Sequence, residues 1–490
     1  GLFNWNNSFI FAHDVLNHFT NSFTASETPF TAFCLVMRRT YMEHGFEQSF
    51  CSVDTFIRVW FAFIRLQDLD SSMLCPTCGP SPSVVIADGV SLAPQMSKLT
   101  SHIRPPTTTT AHSERVETIS SYRARGLPFI KTPALRALLT KFLDSTKVFF
   151  TNILDTTPLA AEYPSLHQFM MLYLSSGRQS PHYMAYRTLL SQISAPDIAL
   201  QLVPFKAIPI LRSMTDPNYD VPVWLQSLVP AMGHAINSHR TNSNGHRVPL
   251  PLELRAVAGW MADRANDVYS RLAQHDPAPI QVHGADNLGS WGDWRQTGTC
   301  YGLPQIRSRR VYPKLRNDGS PTDRLPEDKS DSGCNKYYST YSKSNLAGGI
   351  MVLWCTHSIC LGFHTMPVAE GRNDVFAAIY THFPVAPEII VYDYACQLAA
   401  YSLVREACFF RDTRFLIDEL HAHGHSGCGQ ACFASNAMTY DERVRAINTS
   451  AAECGNGGLK RIRKSVSYMT YEHTVLYTKA FFDVWNRSIA

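Results

Sequence analysis

Three acidic residues border apolar elements, and together they suit one kind of chemistry. Asp88 follows the apolar run of VVIADGVSL, Asp393 follows the run in IIVYDYAC, and Glu453 opens a helix-like pattern in AAECGNGGLKRIRKSVSYM. A strand buried on both faces cannot keep an unpaired carboxylate in its middle, so Asp88 and Asp393 are expected at strand ends that face a cleft. Leu459, Ile462, Val466 and Met469 share one face of the helix after Glu453, which can aim that Glu back at the strand ends. Gathered carboxylates repel one another unless a cation binds. Two Mg²⁺ (or Mn²⁺) ions about 3.5–4 Å apart, bridged by carboxylates, are the arrangement that serves phosphoryl transfer. The plain alternative is an Asp-Gly turn and a Glu that merely complements a helix dipole.

A second set of residues suits a softer metal. Cys355-x-His357 puts both side chains on one strand face, while His421, His423, His425 and Cys428 fall in one short turn. Cys300 and Cys334 lie in the irregular segment before them. A tetrahedral zinc site drawn from Cys300 or Cys334, Cys355, His357 and the turn holding His421, His425 and Cys428 is chemically reasonable. Buried thiols and hydrogen-bonded imidazoles are the alternative. Cys75-x-x-Cys78 reads as half a zinc ribbon whose partner half is not evident, and the prolines and strand that follow disfavour a redox site. The 13 Cys cannot all pair within one chain, and their company with His suits a reducing compartment and metal better than disulfides. Lys460, Arg461, Arg463 and Lys464, beside Glu453, are placed to neutralise DNA phosphates, although a solvated helix face is the default for such a run.

The elements that must position these residues follow from patterning. With 490 residues, 45% hydrophobic and 17% charged, the chain has the makings of a globular protein of more than one structural unit. Its net charge of +4 permits nucleic-acid binding without establishing it. No apolar run reaches the roughly 18 residues that a membrane-spanning helix needs. The N-terminus lacks the pattern of a signal peptide, and a chain starting at Gly reads as a fragment. Residues 1–74 read as a helical N-terminal segment and 75–104 as the unit of the first strand. Residues 105–290 read as a linker and a helical insertion, with Pro105-Pro106 and four Thr at its start. Residues 291–346 form a basic, Cys-containing irregular segment that includes RSRRVYPKLR. Residues 347–490 then alternate strands and helices, which predicts an α/β fold.

The blocks CPTCG…VVIADGVSL, GGIMVLWCTHSICLGFHTMPVAEGRNDVF, IIVYDYACQLAAYSLVREACFFRDTRFLIDELHAHGHSGC and AAECGNGGLKRIRKSVSYMTYEHTVLYTKAFFDVWN resemble the Kyakuja–Dileera–Zisupton (KDZ) transposases. The most specific piece is Y-D-x-A-C followed by R…F-x-x-D-x-x-H-x-x-x-H-x-x-C; E-x-x-N-x-x-L, S-x-x-Y-M and W-N near the end also fit. The likeness is strongest over Gly348–Asn486 and the Cys75–Leu92 block. It implies a ribonuclease-H-like α/β core interrupted by the helical insertion. It also implies a catalytic triad of Asp88, Asp393 and Glu453 holding two Mg²⁺ (or Mn²⁺), with Asp418-x-x-His421 as the D-x-x-H signature after the second acid. The implied partners are transposon ends and target DNA in the nucleus; no membrane is implied, and a homo-oligomer is compatible. The rival is a domesticated, catalytically inactive module that binds DNA or protein and is stabilised by zinc. A ribonuclease-H-like sheet usually runs its first three strands consecutively. Here either the insertion separates Asp88 from Gly349 within that sheet, or Asp88 is not the first acid.

Overall fold

The computed structural model describes residues 1–46, 49–99, 128–144, 158–194, 202–240, 249–273, 300–303, 306, 345–366, 370–425, 430–439, 441–449 and 451–490. RSRRVYPKLR, Cys334 and Cys428 lie outside the described residues.

The N-terminal segment differs from the all-helical expectation, because its first residues form a hairpin of β1 (Leu2–Trp5) and β2 (Phe9–Ala12). Its loop holds Asn6 and Asn7 at φ 52 and 56, a left-handed conformation that Asn tolerates better than most residues. The helices His13–Ser26, Phe30–Glu43 and Val53–Ile64 follow. Phe19, Phe23, Phe30, Phe56 and Trp60 interlock there, and Phe23 stacks on Tyr477 with ring centroids 4.1 Å apart. That contact joins the N-terminal helices to the C-terminal helix, Tyr471–Ile489.

The sheet consists of β3 (Val84–Val90), β4 (Gly349–Trp354), β5 (Cys360–Met366), β6 (Ile389–Val391) and β7 (Arg414–Leu416), in the order β5-β4-β3-β6-β7. β3, β4 and β5 are antiparallel neighbours, while β6 runs parallel to β3 and β7 parallel to β6. The predicted α/β class therefore holds as a mostly helical protein around a mixed sheet. Successive strand residues point to opposite faces, and both faces are covered. Val85, Ala87, Met351, Leu353, Ile390 and Phe415 belong to the core shared with the helices Arg372–His382 and Ala395–Leu403. Ile86, Val90, Ile350, Val352, Val391 and Leu416 belong to the core shared with the N- and C-terminal helices.

The helical insertion falls between β3 and β4, so these two strands pair across it. Its helices Pro133–Asp144, Pro164–Ser175, Pro181–Ser194 and Pro230–Arg240 each start at Pro, whose missing N–H costs nothing in a first turn. The insertion docks through the carbonyl of Arg411, which accepts from the Phe205 N–H at 3.2 Å and from the Tyr269 hydroxyl.

The W-N pair near the end has a structural role. Asn486 is buried, and its side chain accepts from the Cys360 N–H at 2.8 Å and donates to the Cys360 carbonyl at 2.9 Å and the Ser72 carbonyl at 3.0 Å. It thus satisfies the first residue of β5 at the sheet edge and ties the C-terminal helix to it. Asn486→Ala leaves a buried N–H and carbonyls unpaired, each costing about 1–3 kcal/mol. Chemical denaturation should register a total loss of roughly 2–4 kcal/mol.

Candidate metal centre

Strand register brings the acids together. Ile86 is paired with Val391, and Val391 with Leu416. Two residues beyond this row come Asp88, still within β3, and Asp393 and Asp418, just past the ends of β6 and β7. Asp88 lies inside β3 and not at its end as expected, but β6 stops at Val391, so only β4 flanks it, through Val352. The side towards β6 is therefore open. Asp88-Gly89 makes no turn. The Glu370 carboxylate lies over Gly89, where a Cβ would come 2.2 Å from Oε2, so a side chain at this position would displace that carboxylate.

Two groups of ligand-type atoms result. In one, oxygens of Asp88, Glu370 and Asp393 lie within 4.8 Å of one another; in the other, Asp393, Asp418 and His421 do. Asp393 belongs to both. His421 Nδ1 stands 3.0 Å from Asp393 Oδ1 and 2.8 Å from Asp418 Oδ2, and its backbone N–H donates to Asp418 Oδ1 at 2.7 Å.

The electrostatics match this crowding. Burial, then the negative charges of Asp393, Glu370 and Glu453, hold the Asp88 carboxyl well above the usual range. Burial and Asp393 likewise push Glu370 up to about 7. Hydrogen bonds donated by the His421 ring to the Asp393 and Asp418 carboxylates push His421 up to about 11, so its imidazolium is the cation among these acids.

Glu453 and Asn456 are carried by the helix Ala451–Leu459, which rests on the sheet where Gly455 meets the Trp354 ring; a Cβ there would come within 2.1 Å of it. Asn456 Nδ2 donates to Asp88 Oδ2 at 2.5 Å. Glu453 is exposed and acts on Asp88 through its charge, without joining either group of ligand atoms. Asn456 Oδ1 is a buried oxygen without a hydrogen-bond partner, and the buried Glu370 carboxylate lies beside the Tyr392 hydroxyl. Oxygen donors of this kind fit a hard divalent cation, as the carboxylates do.

Sequence reasoning missed Glu370. Its signal was the Glu-Gly pair that follows the β5 pattern and precedes a helix, the same acid-Gly step seen at Asp88. The kinship of Asp418 with the other two aspartates was legible as well, since VVIAD, IIVYD and RFLID share one pattern of apolar residues and a terminal Asp.

The expected zinc set is redistributed. Cys355 and His357 meet Cys75 and Cys78, so the C-x-x-C has its partner half in the turn after β4. Cys300 is a buried core thiol whose backbone N–H donates to His382 Nε2 at 3.2 Å. His421 serves the carboxylates, and His425 is buried with Nδ1 3.8 Å from Cys396 Sγ. These residues are separated because Cys355 follows β4, whereas the His421 turn follows β7 on the opposite side of the sheet. Among the basic residues, Lys460, Arg463 and Lys464 are exposed. Arg461 is exposed too, but it donates to the Thr24 and Ala25 carbonyls at the end of the first helix, a capping contact.

The fold and the centre together define an α/β protein with a carboxylate cluster suited to divalent metal. Residues 311–486 match the Kyakuja-Dileera-Zisupton transposase family, and residues 1–63 match the CxC4-like cysteine cluster associated with KDZ transposases. Residues 311–486 thus form a KDZ transposase domain, and the cysteine cluster associated with that family precedes it. The first match contains Glu370, Asp393, Asp418, His421 and Glu453. The second contains Cys34 and Cys51, whose thiols burial pushes up to about 11. No curated protein and no solved structure matches the chain. Among the described residues, no helix is long and apolar enough to cross a membrane.

Proposed function

We propose that the protein is a DDE-type transposase that cleaves DNA strands and joins them to target DNA with divalent metal. The observation that carries this reading is the position of Asp393 in two adjoining groups of ligand atoms, the arrangement expected where one carboxylate bridges two ions. Asp88 and Glu370 would complete one subsite and Asp418 the other. Glu453, carried over from the family likeness as the third acid, stands on the same helix as Asn456 and faces Asp88 electrostatically. The sheet supports a ribonuclease-H-like core, since three antiparallel strands are followed by two parallel ones, with the insertion after the first.

When bound, two Mg²⁺ ions activate an attacking oxygen and stabilise a leaving one in an in-line displacement at phosphorus. The chain's own residues hold and orient. Asn456 fixes one oxygen of Asp88, leaving the other to a ligand. Asp418 accepts the His421 backbone N–H and so holds that turn against Asp393. Lys460, Arg463 and Lys464, exposed just beyond the Ala451–Leu459 helix, supply charge for the DNA backbone. A nuclear location follows from a DNA substrate in a protein of this family.

The test is incubation of the purified chain with supercoiled plasmid and a duplex carrying a free 3′-hydroxyl. Nicking and joining that require Mg²⁺ or Mn²⁺ support the proposal; DNA left intact with both metals contradicts it.

A further inference from the structure

We propose that Cys75, Cys78, Cys355 and His357 form a structural zinc site that clamps β3 to the β4–β5 hairpin across the helical insertion. The site does not depend on the carboxylate centre.

Geometry carries the inference. The four ligand atoms lie within 4.8 Å of one another. Nδ1 of His357 stands 3.6 Å from Cys75 Sγ, 3.2 Å from Cys78 Sγ and 3.9 Å from Cys355 Sγ. Zinc–sulfur bonds of about 2.3 Å and a zinc–nitrogen bond of about 2.0 Å at tetrahedral angles put sulfur and nitrogen about 3.5 Å apart. The three observed distances scatter around that value. Three sulfurs and one imidazole also match the donor preference of zinc and leave no open position, as in structural and not catalytic sites.

Both ligand-bearing loops are shaped for the purpose. In Cys75-Pro-Thr-Cys78-Gly79, the Cys78 N–H donates to Cys75 Sγ at 3.4 Å. Gly79 turns away at φ 64, and its N–H donates to the Cys75 carbonyl at 2.9 Å. In the facing loop, Ser358 takes φ 60, and its N–H donates to the Cys355 carbonyl at 3.1 Å. The Trp485 indole N–H donates to the Ser358 carbonyl at 3.0 Å, which anchors this loop on the C-terminal helix. Cys75, Cys78 and Cys355 are free thiols in the structure.

The clamp answers a problem that the topology creates. β3 pairs with β4 although the whole insertion separates them in sequence, and closing so long a loop costs chain entropy before any pairing is gained. Cys75 and Cys78 precede β3, and Cys355 and His357 follow β4, so one ion joins the two strands at the end where Ile86 faces Trp354. Asp88 lies two residues further along β3, and the clamp fixes the register on which its place depends.

The experiment uses the full chain purified without added metal. Elemental analysis is expected to find zinc, and X-ray absorption at the zinc edge to give a shell of three sulfurs and one nitrogen. Cys78→Ser should lose one zinc equivalent. His357→Cys should keep it with a four-sulfur shell, which separates ligation from a general effect on folding. Removing zinc with a chelator should speed amide exchange in β3 at least tenfold. If Cys78→Ser does not fold, the spectrum and exchange of the unaltered chain decide. Absence of zinc, a disulfide among these cysteines, a shell without sulfur, or β3 exchange unchanged by zinc removal would each overturn the proposal. Absence of plasmid nicking from a zinc-loaded chain bears on the carboxylate centre alone.

Discussion

Asp393→Asn is expected to lower Mg²⁺-dependent strand cleavage by at least about 10³-fold, because Asp393 is the carboxylate common to both groups of ligand atoms. Metal polarisation of a phosphoryl oxygen contributes several kcal/mol to the transition state, and each 1.36 kcal/mol is roughly a factor of ten in rate. Replacing any one acid weakens one subsite; replacing the shared one weakens two. The substitution keeps side-chain volume and leaves His421 its contact with Asp418 at 2.8 Å, so the fold should survive. Single-turnover nicking of plasmid, with thermal unfolding as the control for folding, gives the number. Cleavage within tenfold of the unaltered protein, from a variant that melts normally, would remove Asp393 from the centre.

The second large effect is on stability and its dependence on pH. Glu370 is raised from its ordinary 4.5 to about 7 by burial and by Asp393. A carboxyl whose folded-state value is raised contributes stability that is fully present below about 4.5 and lost as the pH rises through about 7. For Glu370 alone that loss is about 3 kcal/mol. Asp88 shifts in the same direction for the same reasons. His421 is also raised, to about 11, from 6.5. Its contribution is intact below 6.5 and fades only between there and about 11, so it does not offset the acids in the lower range. Without metal, the protein should therefore weaken between about pH 5 and 7.5. Mg²⁺, binding the folded carboxylates, should reverse this, so the rise in Tm on adding millimolar Mg²⁺ should be larger at pH 7.5 than at pH 5. Glu370→Gln should flatten the metal-free pH profile and shrink the Mg²⁺ effect. An equal Mg²⁺ shift at both pH values would contradict this view of the cluster.

Much of this centre was legible before any coordinates. The apolar runs ending in Asp88 and Asp393 identified two strands, whereas Cys355-x-His357, expected on one strand face, falls in the turn after β4. What the pattern could not supply was register. The adjacency of Asp88 and Asp393 follows from the pairing of Ile86 with Val391, a long-range fact that no local spacing encodes. The same limit hid the partner half of Cys75-x-x-Cys78, because the strand that brings Cys355 and His357 to it lies beyond the insertion. Little that is local sets Glu370 apart, since a single acid before a helix usually complements the helix dipole; the contact of its carboxylate with Gly89 reveals another place for it. The hairpin at Leu2–Ala12 escaped because aromatic and branched residues suit a packed helix and a short strand alike, and two left-handed Asn decide between them.

The central claim is that Asp88, Asp393 and their neighbours hold two divalent ions in one cluster, and anomalous diffraction from crystals grown with Mn²⁺ tests it most directly. Two manganese peaks about 4 Å apart, with Asp393 between them, are the predicted result. A single peak bound elsewhere, or none within coordination distance of Asp393, would contradict it.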